Sequence, residues 1–522
     1  MAEAIELSVH RPGSVKPADL SPLPEVRQNT AAEVAEAVGR ARAAQPGWAA
    51  RDAREREAAV LAFCRRLLER RAEGARVLSD ETGRGETESL MSELVGSVEF
   101  GKGAIRASRK ALARENIGLS KLDYPGKRAY IEAVPRGVVG IIAPWNYPAG
   151  NFMKSLLPAL LAGNGVVLKP SEHTPRSGAW VASVCADVFP AGLVQLVQGD
   201  GSIGAALLEA GVDGLCFTGS VPTGRKVAAR AGELLVPCSV ELGGKDAALV
   251  LADCDLERTV AGVVQWGFHN AGQNCAAIER VYVEEAIAEK FVERLAAVAR
   301  KLRVAPGDAE TDLGPLQNAM QLRIVEEHVA DALAQGAKLL CGGARTGRGL
   351  GYAPTVLDGC TASMKVVRDE TFGPVLAVIR VKDAEEGLRL ANDSRYGLNG
   401  SVWTRDLARG EALARRMEVG VSLVNNHAFV GIVPELPWTG TKDTGFGVAS
   451  SRHSYGTFVR RRSVLVDGSS KPDPWWMPGN ADLTVFAETL AQRQLHGGLG
   501  VLLKLGGLAG KRIKAIRDLA RG

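Results

Sequence analysis

After Gly137 the chain contains short, uninterrupted apolar runs, which constrain its fold more than any other feature. GVVGIIAP, NGVVLKP and GLVQLVQG each have the length of one strand. Continuously apolar strands are typical of a parallel sheet covered on both faces. The segments between them, residues 152–161 and 177–188, have the apolar spacing of helices. This alternation predicts an α/β fold, and a second α/β region is expected at about residues 243–426.

Helical patterns precede this region at about residues 31–44, 51–78 and 87–113. The stretch LSKLDYPGKRAYIEAVPRG then predicts a β-hairpin with Pro125-Gly126 at its turn, a ribbon suited to pairing with another element. A chain of 522 residues is expected to form two or three domains. Its first residues lack a signal-peptide pattern, and no apolar run reaches the length of a membrane span.

Eight cysteines are scattered without CxxC pairs or His/Cys clusters. Neither a metal site nor a disulfide framework is therefore expected, and a reducing cytoplasm is the expected location.

The basic excess of the chain is concentrated at its C-terminus. The net charge is +5, and residues 495–522 contain six Lys and Arg against one Asp. The rest of the chain is nearly neutral, so a nucleic-acid-binding surface is not expected. The tail has the pattern of a basic amphipathic helix, which suits peripheral contact with an anionic membrane or docking on a partner. Packing on its own chain or on a neighbouring subunit is the alternative for its apolar stripe, Leu505, Ala509, Ile513, Ile516 and Ala520.

A loop of amides and glycine, FHNAGQNCAAIER, surrounds Cys275. In such a loop backbone N–H groups can point at whatever the sulfur attacks, although most cysteines are inert core residues. Two polar residues follow apolar strands elsewhere. Glu241, in VELGGKDA, suits either a general base or a structural salt bridge, and Asn146, in APWNYP, suits either an oxyanion donor or a turn.

Three further segments are suited to a nucleotide. VVLKPSE ends a strand with Lys169 and Glu172, and FTGSVPTGRK is a glycine-rich turn that enters a helix. The turn is neither a phosphate-binding Walker loop nor a G-x-G-x-x-G fingerprint. RDETFGPV supplies a carboxylate, Glu370, and a ring, Phe372. Taken singly, Lys169 and Glu172 are better explained as a surface ion pair and RDETFGPV as an ordinary loop, whereas the FTGS turn suits a structural turn and a phosphate site equally well.

In combination these segments resemble the aldehyde dehydrogenase superfamily from about residue 30 to residue 466. PWNYP, GNGVVLKPSE, FTGS, ELGGK, FHNAGQNC, ETFGPV and SRYGLNGSVWTRD occur in that family's order. Glu241 precedes Cys275 by 34 residues, which is the family's spacing. The resemblance implies an enzyme that oxidises an aldehyde to the carboxylic acid with NAD, NADP also being accommodated.

The resemblance also implies residue roles. Cys275 is the nucleophile that forms the thiohemiacetal and thioester, Glu241 activates the hydrolytic water, and Asn146 stabilises the oxyanion. The cofactor-binding residues implied are Trp145, Lys169, Glu172, Gly219, Ser220, Glu370 and Phe372. Because a carboxylate repels a 2′-phosphate, Glu172 favours NAD over NADP.

The family's architecture is a Rossmann-like cofactor domain, an α/β catalytic domain and a β-ribbon oligomerisation arm. Carried over, it assigns residues 1–117 and 134–242 to the cofactor domain and residues 243–454 to the catalytic domain. Residues 118–133 and 455–467 form the ribbon, and 468–522 are a C-terminal extension. A homodimer or homotetramer is expected.

The sequence departs from the family at two places near the expected site. Ser155 stands where the family has a lysine, and Lys154 is one position early. The segment LPWTGTKDTGFG has Trp438 in place of the family's phenylalanine. Candidate tunnel residues (Tyr147, Phe268, His269 and Phe429) indicate a medium-chain aliphatic or aromatic aldehyde. The alternatives are a coenzyme A-acylating enzyme, which Glu241 disfavours, and a non-catalytic scaffold.

Overall fold

The computed structural model describes residues 11–304, 311–347 and 349–521. Its helices are α1 (Ala31–Ala49), α2 (Ala53–Glu69), α3 (Arg71–Thr82), α4 (Glu86–Ser89), α5 (Gly96–Ala111), α6 (Gly150–Leu161), α7 (Pro175–Ala186), α8 (Gly201–Glu209), α9 (Val221–Glu233), α10 (Leu256–Phe268), α11 (Glu285–Ala299), α12 (Ala319–Ala334), α13 (Lys365–Arg368), α14 (Ala384–Asn392), α15 (Leu407–Ala414), α16 (Ala481–His496) and α17 (Leu499–Arg521). A π-helix covers Leu90–Val95, and 3-10 turns cover His269–Gly272, Phe429–Ile432 and Arg452–Thr457.

The strands are β1 (Glu115–Ile117), β2 (Lys127–Pro135), β3 (Val138–Ile142), β4 (Gly165–Lys169), β5 (Val194–Leu196), β6 (Gly214–Thr218), β7 (Cys238–Glu241), β8 (Asp246–Val250), β9 (Ile278–Glu284), β10 (Lys338–Cys341), β11 (Arg345–Thr346), β12 (Gly351–Tyr352), β13 (Thr355–Asp358), β14 (Val375–Val381), β15 (Tyr396–Gly397), β16 (Asn399–Trp403), β17 (Val421–Val424), β18 (Thr441–Lys442), β19 (Gly445–Phe446) and β20 (Val459–Asp467).

Two large sheets confirm the α/β fold. The first has the strand order β19-β7-β6-β3-β4-β5, and all its pairings except β19 with β7 are parallel. The second has the order β10-β13-β14-β9-β8-β16-β17, with β10 antiparallel. Every residue of β3, β4 and β8 is buried, because helices cover both faces of each sheet.

The first helices begin where the sequence supplies caps. Thr30 and Glu33 form a capping box at α1, and Asp52 and Glu55 form another at α2. The single helix expected at 51–78 is interrupted, because Arg70 leaves the helical conformation (φ −94°, ψ 17°). Helices α2 and α3 are therefore separate.

The chain divides into two compact units. One contains residues up to Ala113 and Ala133–Arg460, and both large sheets lie in it. The other contains Arg114–Glu132 and Arg461–Gly522. The division between cofactor and catalytic domains inside the first unit stays a prediction.

The second unit is built on the three-stranded sheet β1-β2-β20 and on helices α16 and α17, which contact each other. The predicted hairpin has a longer connection than expected, since β1 pairs through Ile117 with Ala129 and residues 118–126 lie between the strands. On α17, Leu505 and Ile516 are buried, so part of the predicted apolar stripe packs on its own chain. None of the helices within the residues that the structure describes has the length and apolar composition of a membrane-spanning segment.

Candidate active site

The carboxyl edge of the first sheet collects most of the predicted site residues. Carboxyl ends of adjacent parallel strands meet at one edge of a sheet, where ligands bind in open α/β folds. Glu241 is the last residue of β7 and is paired in register with Thr218, the last residue of β6. The residues that end or directly follow β3, β4 and β6 are Trp145, Asn146, Lys169, Glu172, Gly219 and Ser220.

Cys275 lies in the turn between the 3-10 helix His269–Gly272 and β9. The chain enters this turn in a left-handed conformation, with φ of 54° at Asn270 and 70° at Gly272. A Cβ at Gly272 would lie 2.1 Å from the carbonyl oxygen of Gly373, so only glycine fits there. The loop of amides and glycine therefore sets the path of the backbone that presents the thiol.

The Cys275 thiol lies against Glu241. Its Sγ is 3.2 Å from Glu241 Oε1 and donates a hydrogen bond to it. Burial raises the pKa of the Cys275 thiol well above its usual range, and the Glu241 carboxylate raises it further, while the Lys154 charge opposes them. In the resting arrangement the thiol is thus protonated, with a carboxylate positioned to accept its proton.

Trp438 lies in the candidate site, although no role was predicted for it from the sequence. Its indole Nε1 donates to Glu241 Oε1 at 3.1 Å, and its side chain is only 3% exposed. Lys154 Nζ lies 4.7 Å from the centroid of the same ring. Glu241 is therefore held between the thiol and the indole. The departure at position 438 from the family's phenylalanine was the available signal, because only tryptophan brings an N–H.

Asn146 lies beside the cysteine turn with its amide fixed on both sides. Asn146 Nδ2 donates to the carbonyl of Gln273 at 3.2 Å, and Asn146 Oδ1 accepts from Asn151 Nδ2 at 3.0 Å. Asn270 Nδ2 donates to the Asn146 carbonyl at 2.9 Å. The structure thus brings together Cys275, Glu241 and Asn146, which the sequence separates by up to 129 positions.

A buried carboxylate outside the predicted set positions the segment that carries Asn146. Glu93 accepts from the backbone N–H of Ala149 at 2.6 Å and of Gly150 at 2.9 Å, where α6 begins. It is paired with Arg84, and both side chains are buried. An anion at a helix N-terminus is favoured by the unsatisfied N–H groups there.

The nucleotide candidates around β4 and β6 form a consistent donor set. Lys169 Nζ lies 3.7 Å from Glu172 Oε2, and burial lowers the pKa of Lys169. Ser220 precedes the 13-residue helix α9 without capping it through its side chain, and the N–H groups of a helix's first turn have no partner inside the helix. Gly219 donates to the Glu241 carbonyl at 3.1 Å. An anionic pyrophosphate and a ribose fit these groups.

The remaining two candidates, Glu370 and Phe372, lie in the loop between α13 and β14 of the second sheet. Glu370 Oε1 accepts from the N–H of Gly244 at 3.0 Å, and burial raises the pKa of Glu370 to about 8. Phe372 has a φ of 51°, and its ring meets Trp145 edge-on at 5.4 Å. Glu279 holds this loop by accepting from the N–H groups of Thr371 (2.8 Å) and Phe372 (2.9 Å).

Trp438→Phe tests the indole contact with Glu241. The ring is kept but the N–H is lost, so Glu241 is held less firmly, and a hydrogen bond to a charged group contributes about 1.5–3 kcal/mol. We expect steady-state turnover to fall at least about tenfold while the burst of reduced cofactor in the first turnover keeps its amplitude. Trp475→Phe, an exposed site outside this cluster, is the matched control. Unchanged turnover in Trp438→Phe would show that the contact is dispensable.

Comparison with known proteins is consistent with this geometry. The family model described as the aldehyde dehydrogenase family matches residues 9–464. A 4,4′-diapolycopene aldehyde oxidase from a Methylomonas species is 39% identical over 402 residues, covering 77% of this chain and 75% of the relative. A protein of Mycolicibacterium smegmatis, provisionally named succinate-semialdehyde dehydrogenase (NADP+), is 37% identical and covers 85% of this chain and 86% of its own length.

A solved aldehyde dehydrogenase structure has the same fold as this chain. The crystal structure of a Mycobacterium tuberculosis aldehyde dehydrogenase complexed with NAD+ superposes with a TM-score of 0.83 at 34% identity. The match covers 89% of this chain and 96% of that one.

Proposed function

The chain belongs to the aldehyde dehydrogenase family and oxidises aldehydes with NAD(P)+, and from this premise we propose that Cys275 is its nucleophile and Glu241 its general base. The observation that carries the proposal is the 3.2 Å contact between Cys275 Sγ and Glu241 Oε1. Asn146, held beside the cysteine turn, is proposed as a donor to the oxyanion together with the backbone N–H of Cys275.

The proposed reaction uses Glu241 at two stages. Glu241 first accepts the thiol proton, and the thiolate adds to the aldehyde carbon to give a thiohemiacetal whose oxyanion the Asn146 amide stabilises. The nicotinamide of bound NAD(P)+ supplies the hydride acceptor. Once a thioester on Cys275 remains, Glu241 releases the thiol proton to solvent and then takes a proton from water, and the resulting hydroxide adds to the thioester carbon. Collapse of this adduct breaks the carbon–sulfur bond, and the Cys275 thiolate takes the proton back from Glu241. The carboxylic acid leaves and the Cys275 thiol is restored.

The cofactor is proposed to lie along the carboxyl edge of the first sheet. Lys169 and Glu172 would hold the adenosine ribose, and Gly219 and Ser220 the pyrophosphate at the start of α9. Glu370, Phe372 and Trp145 would flank the nicotinamide ribose and ring. The Glu172 carboxylate favours NAD because it repels a 2′-phosphate, whereas the positive charge of Lys169 can accommodate the 2′-phosphate of NADP.

An apolar aldehyde is the substrate class proposed. Phe429 and Ile432, on the 3-10 turn that packs on α5, are both exposed, as is Met91 on the π-helix that precedes α5. Tyr147 OH and His269 Nδ1 are joined at 3.0 Å. The Methylomonas relative is named for 4,4′-diapolycopene aldehyde. Phe268, considered for the tunnel from the sequence, is 2% exposed and belongs to the core of the second sheet instead.

The test is reduced-cofactor absorbance with NAD or NADP, a panel of aldehydes and no coenzyme A. We expect steady turnover with medium-chain aliphatic or aromatic aldehydes, faster with NAD, and at least about tenfold lower kcat/KM for a semialdehyde that carries a carboxylate. A preference for such a semialdehyde would overturn the substrate class. Turnover that begins only when coenzyme A is added would identify the acylating enzyme instead.

Two features of the second unit bear on assembly and location. The β1-β2-β20 sheet suits the pairing of subunits, and a homodimer or homotetramer is proposed. The basic residues of α17 suit peripheral contact with a membrane by a cytoplasmic enzyme.

A further inference from the structure

The outward side of α17 carries apolar and basic side chains that its own unit leaves exposed. Leu499 and Leu503 lie one helical turn apart and are 75% and 72% exposed, next to the equally exposed Leu495 at the end of α16. Farther along the same side of α17 the exposed charged side chains are Lys511, Lys514, Arg517, Asp518 and Arg521, of which four are basic. We call the exposed leucines and basic residues together the hairpin face: Leu495, Leu499, Leu503, Lys511, Lys514, Arg517 and Arg521.

The inward side of α17 packs on its own chain, so the hairpin face is the side turned away from that contact. Leu505 and Ile516 are buried, and Arg512 between them is fully buried. The Arg512 guanidinium donates to three backbone carbonyls of the linker at residues 474–478 and to Asn480 Oδ1, at 2.6–3.0 Å. This cluster of hydrogen bonds leaves Trp475, Trp476 and Met477 of the linker exposed, at 50%, 51% and 82%.

Four glycines of α17 carry no side chain, and the space beside each of them is open. Gly500, Gly506, Gly507 and Gly510 lie within α17, and a Cβ at any of them would meet nothing within 4 Å. Glycine in a helix interior lowers helix stability relative to alanine. Close packing within the chain does not require these glycines, whereas a flat surface that approaches the helix backbone would benefit from them.

We propose that the hairpin face docks on an anionic lipid bilayer, with its leucines at the acyl boundary and its Lys and Arg on the headgroups. The proposal deepens, and rests on, the membrane contact proposed for α17. Helix α17 contains six Lys and Arg and one Asp, and cations near an anionic leaflet strengthen binding. Exposed tryptophans beside the helix suit the membrane interface. A second copy of the chain fits less well, because two such faces would bring like charges together.

The experiment is cosedimentation of the full-length protein with phosphatidylcholine vesicles that contain or lack phosphatidylserine. We expect binding to the anionic vesicles, weak binding to the neutral ones, and release at high ionic strength. In Leu499→Glu/Leu503→Glu and in Lys511→Glu/Lys514→Glu the vesicle partition coefficient is expected to fall at least about thirtyfold. Leu407→Glu, at an exposed leucine of α15 in the other unit, is the matched control.

Two further measurements distinguish vesicle binding from a failure of catalysis and from an interface with a second copy of the chain. Turnover of a water-soluble aldehyde is expected to stay unchanged in all variants, so a loss of vesicle binding is distinguishable from a failure of the catalytic proposal. Size-exclusion chromatography is expected to give one oligomeric state throughout. Absence of binding to anionic vesicles, or equal binding by the variants, would overturn the proposal. Dissociation of the oligomer in Leu499→Glu/Leu503→Glu would assign the face to a second copy of the chain.

Discussion

Cys275→Ala is expected to lower kcat/KM by at least about 10⁴-fold with every aldehyde, because the carbon–sulfur bond of both covalent intermediates cannot form. The measurement is reduced-cofactor formation under saturating NAD, together with mass spectrometry for an acyl adduct, which should be absent. Cofactor binding is expected to persist, since the proposed nucleotide contacts lie on β4, β6 and α9.

Cys341→Ala is the control for this loss, because Cys341 is a half-buried free cysteine on β10, outside the site. It should keep full activity. Substantial turnover in Cys275→Ala would transfer the nucleophile role to another residue. A loss of cofactor binding along with activity would point instead to a disturbed fold.

The core of the fold could be predicted because its signals are local. An apolar run such as GVVLK specifies a strand buried on both faces by its own composition, and β4 forms there with every residue buried. The placement of Lys169 and Glu241 at strand ends followed from the same runs. The family resemblance added the order of the segments. By contrast, nothing in the helical periodicity of residues 51–78 marked the break at Arg70 between α2 and α3.

The contacts that arrange the site could not be predicted, because they join distant parts of the chain. Trp438 meets Glu241 across 197 positions, and Glu279 meets Phe372 across 93. Such contacts depend on how two sheets and their loops pack, which periodicity does not encode. The same holds for Glu93, which lies on a helical segment and whose carboxylate reaches the start of α6. The residues proposed to perform chemistry were thus predictable in type, whereas the residues that position them were not.

The contact between the Cys275 thiol and the Glu241 carboxylate in the free enzyme also predicts how the reactivity of the thiol changes when Glu241 is replaced. Because burial and the Glu241 carboxylate hold the pKa of the Cys275 thiol well above its usual range, little thiolate is present in the free enzyme at neutral pH. Removing the negative charge of Glu241 removes one of these two causes. The thiol pKa should then be lower, and more thiolate should be present at any given pH. Glu241 therefore lowers the reactivity of the resting thiol, although it is the base of the proposed reaction.

Glu241→Gln is expected to release about one equivalent of reduced cofactor per active site and then stall. Glutamine keeps the size of the side chain and an oxygen that can accept from Trp438 Nε1, but it cannot take a proton from water. Loss of a general base costs about 10²–10⁴-fold, so steady turnover should fall by about 10³-fold while the thioester accumulates on Cys275. Stopped-flow absorbance measures the burst, and mass spectrometry measures the adduct. In the absence of aldehyde, alkylation of Cys275 should be faster in this variant than in the unmodified enzyme.

Glu435→Gln, which changes a carboxylate on the surface beside Arg106, is the control and should show neither effect. Two results would revise the mechanism in different directions. If the burst disappears with the steady rate, Glu241 is needed to ionise the thiol before the aldehyde adds, and the first of its two proposed stages dominates. If steady turnover survives, another group activates the water, and the contact of Cys275 Sγ with Glu241 describes only the resting enzyme. A burst followed by a stall would show that the thiol of the variant, whose pKa the Glu241 carboxylate no longer raises, ionises without Glu241, whereas hydrolysis of the thioester requires it.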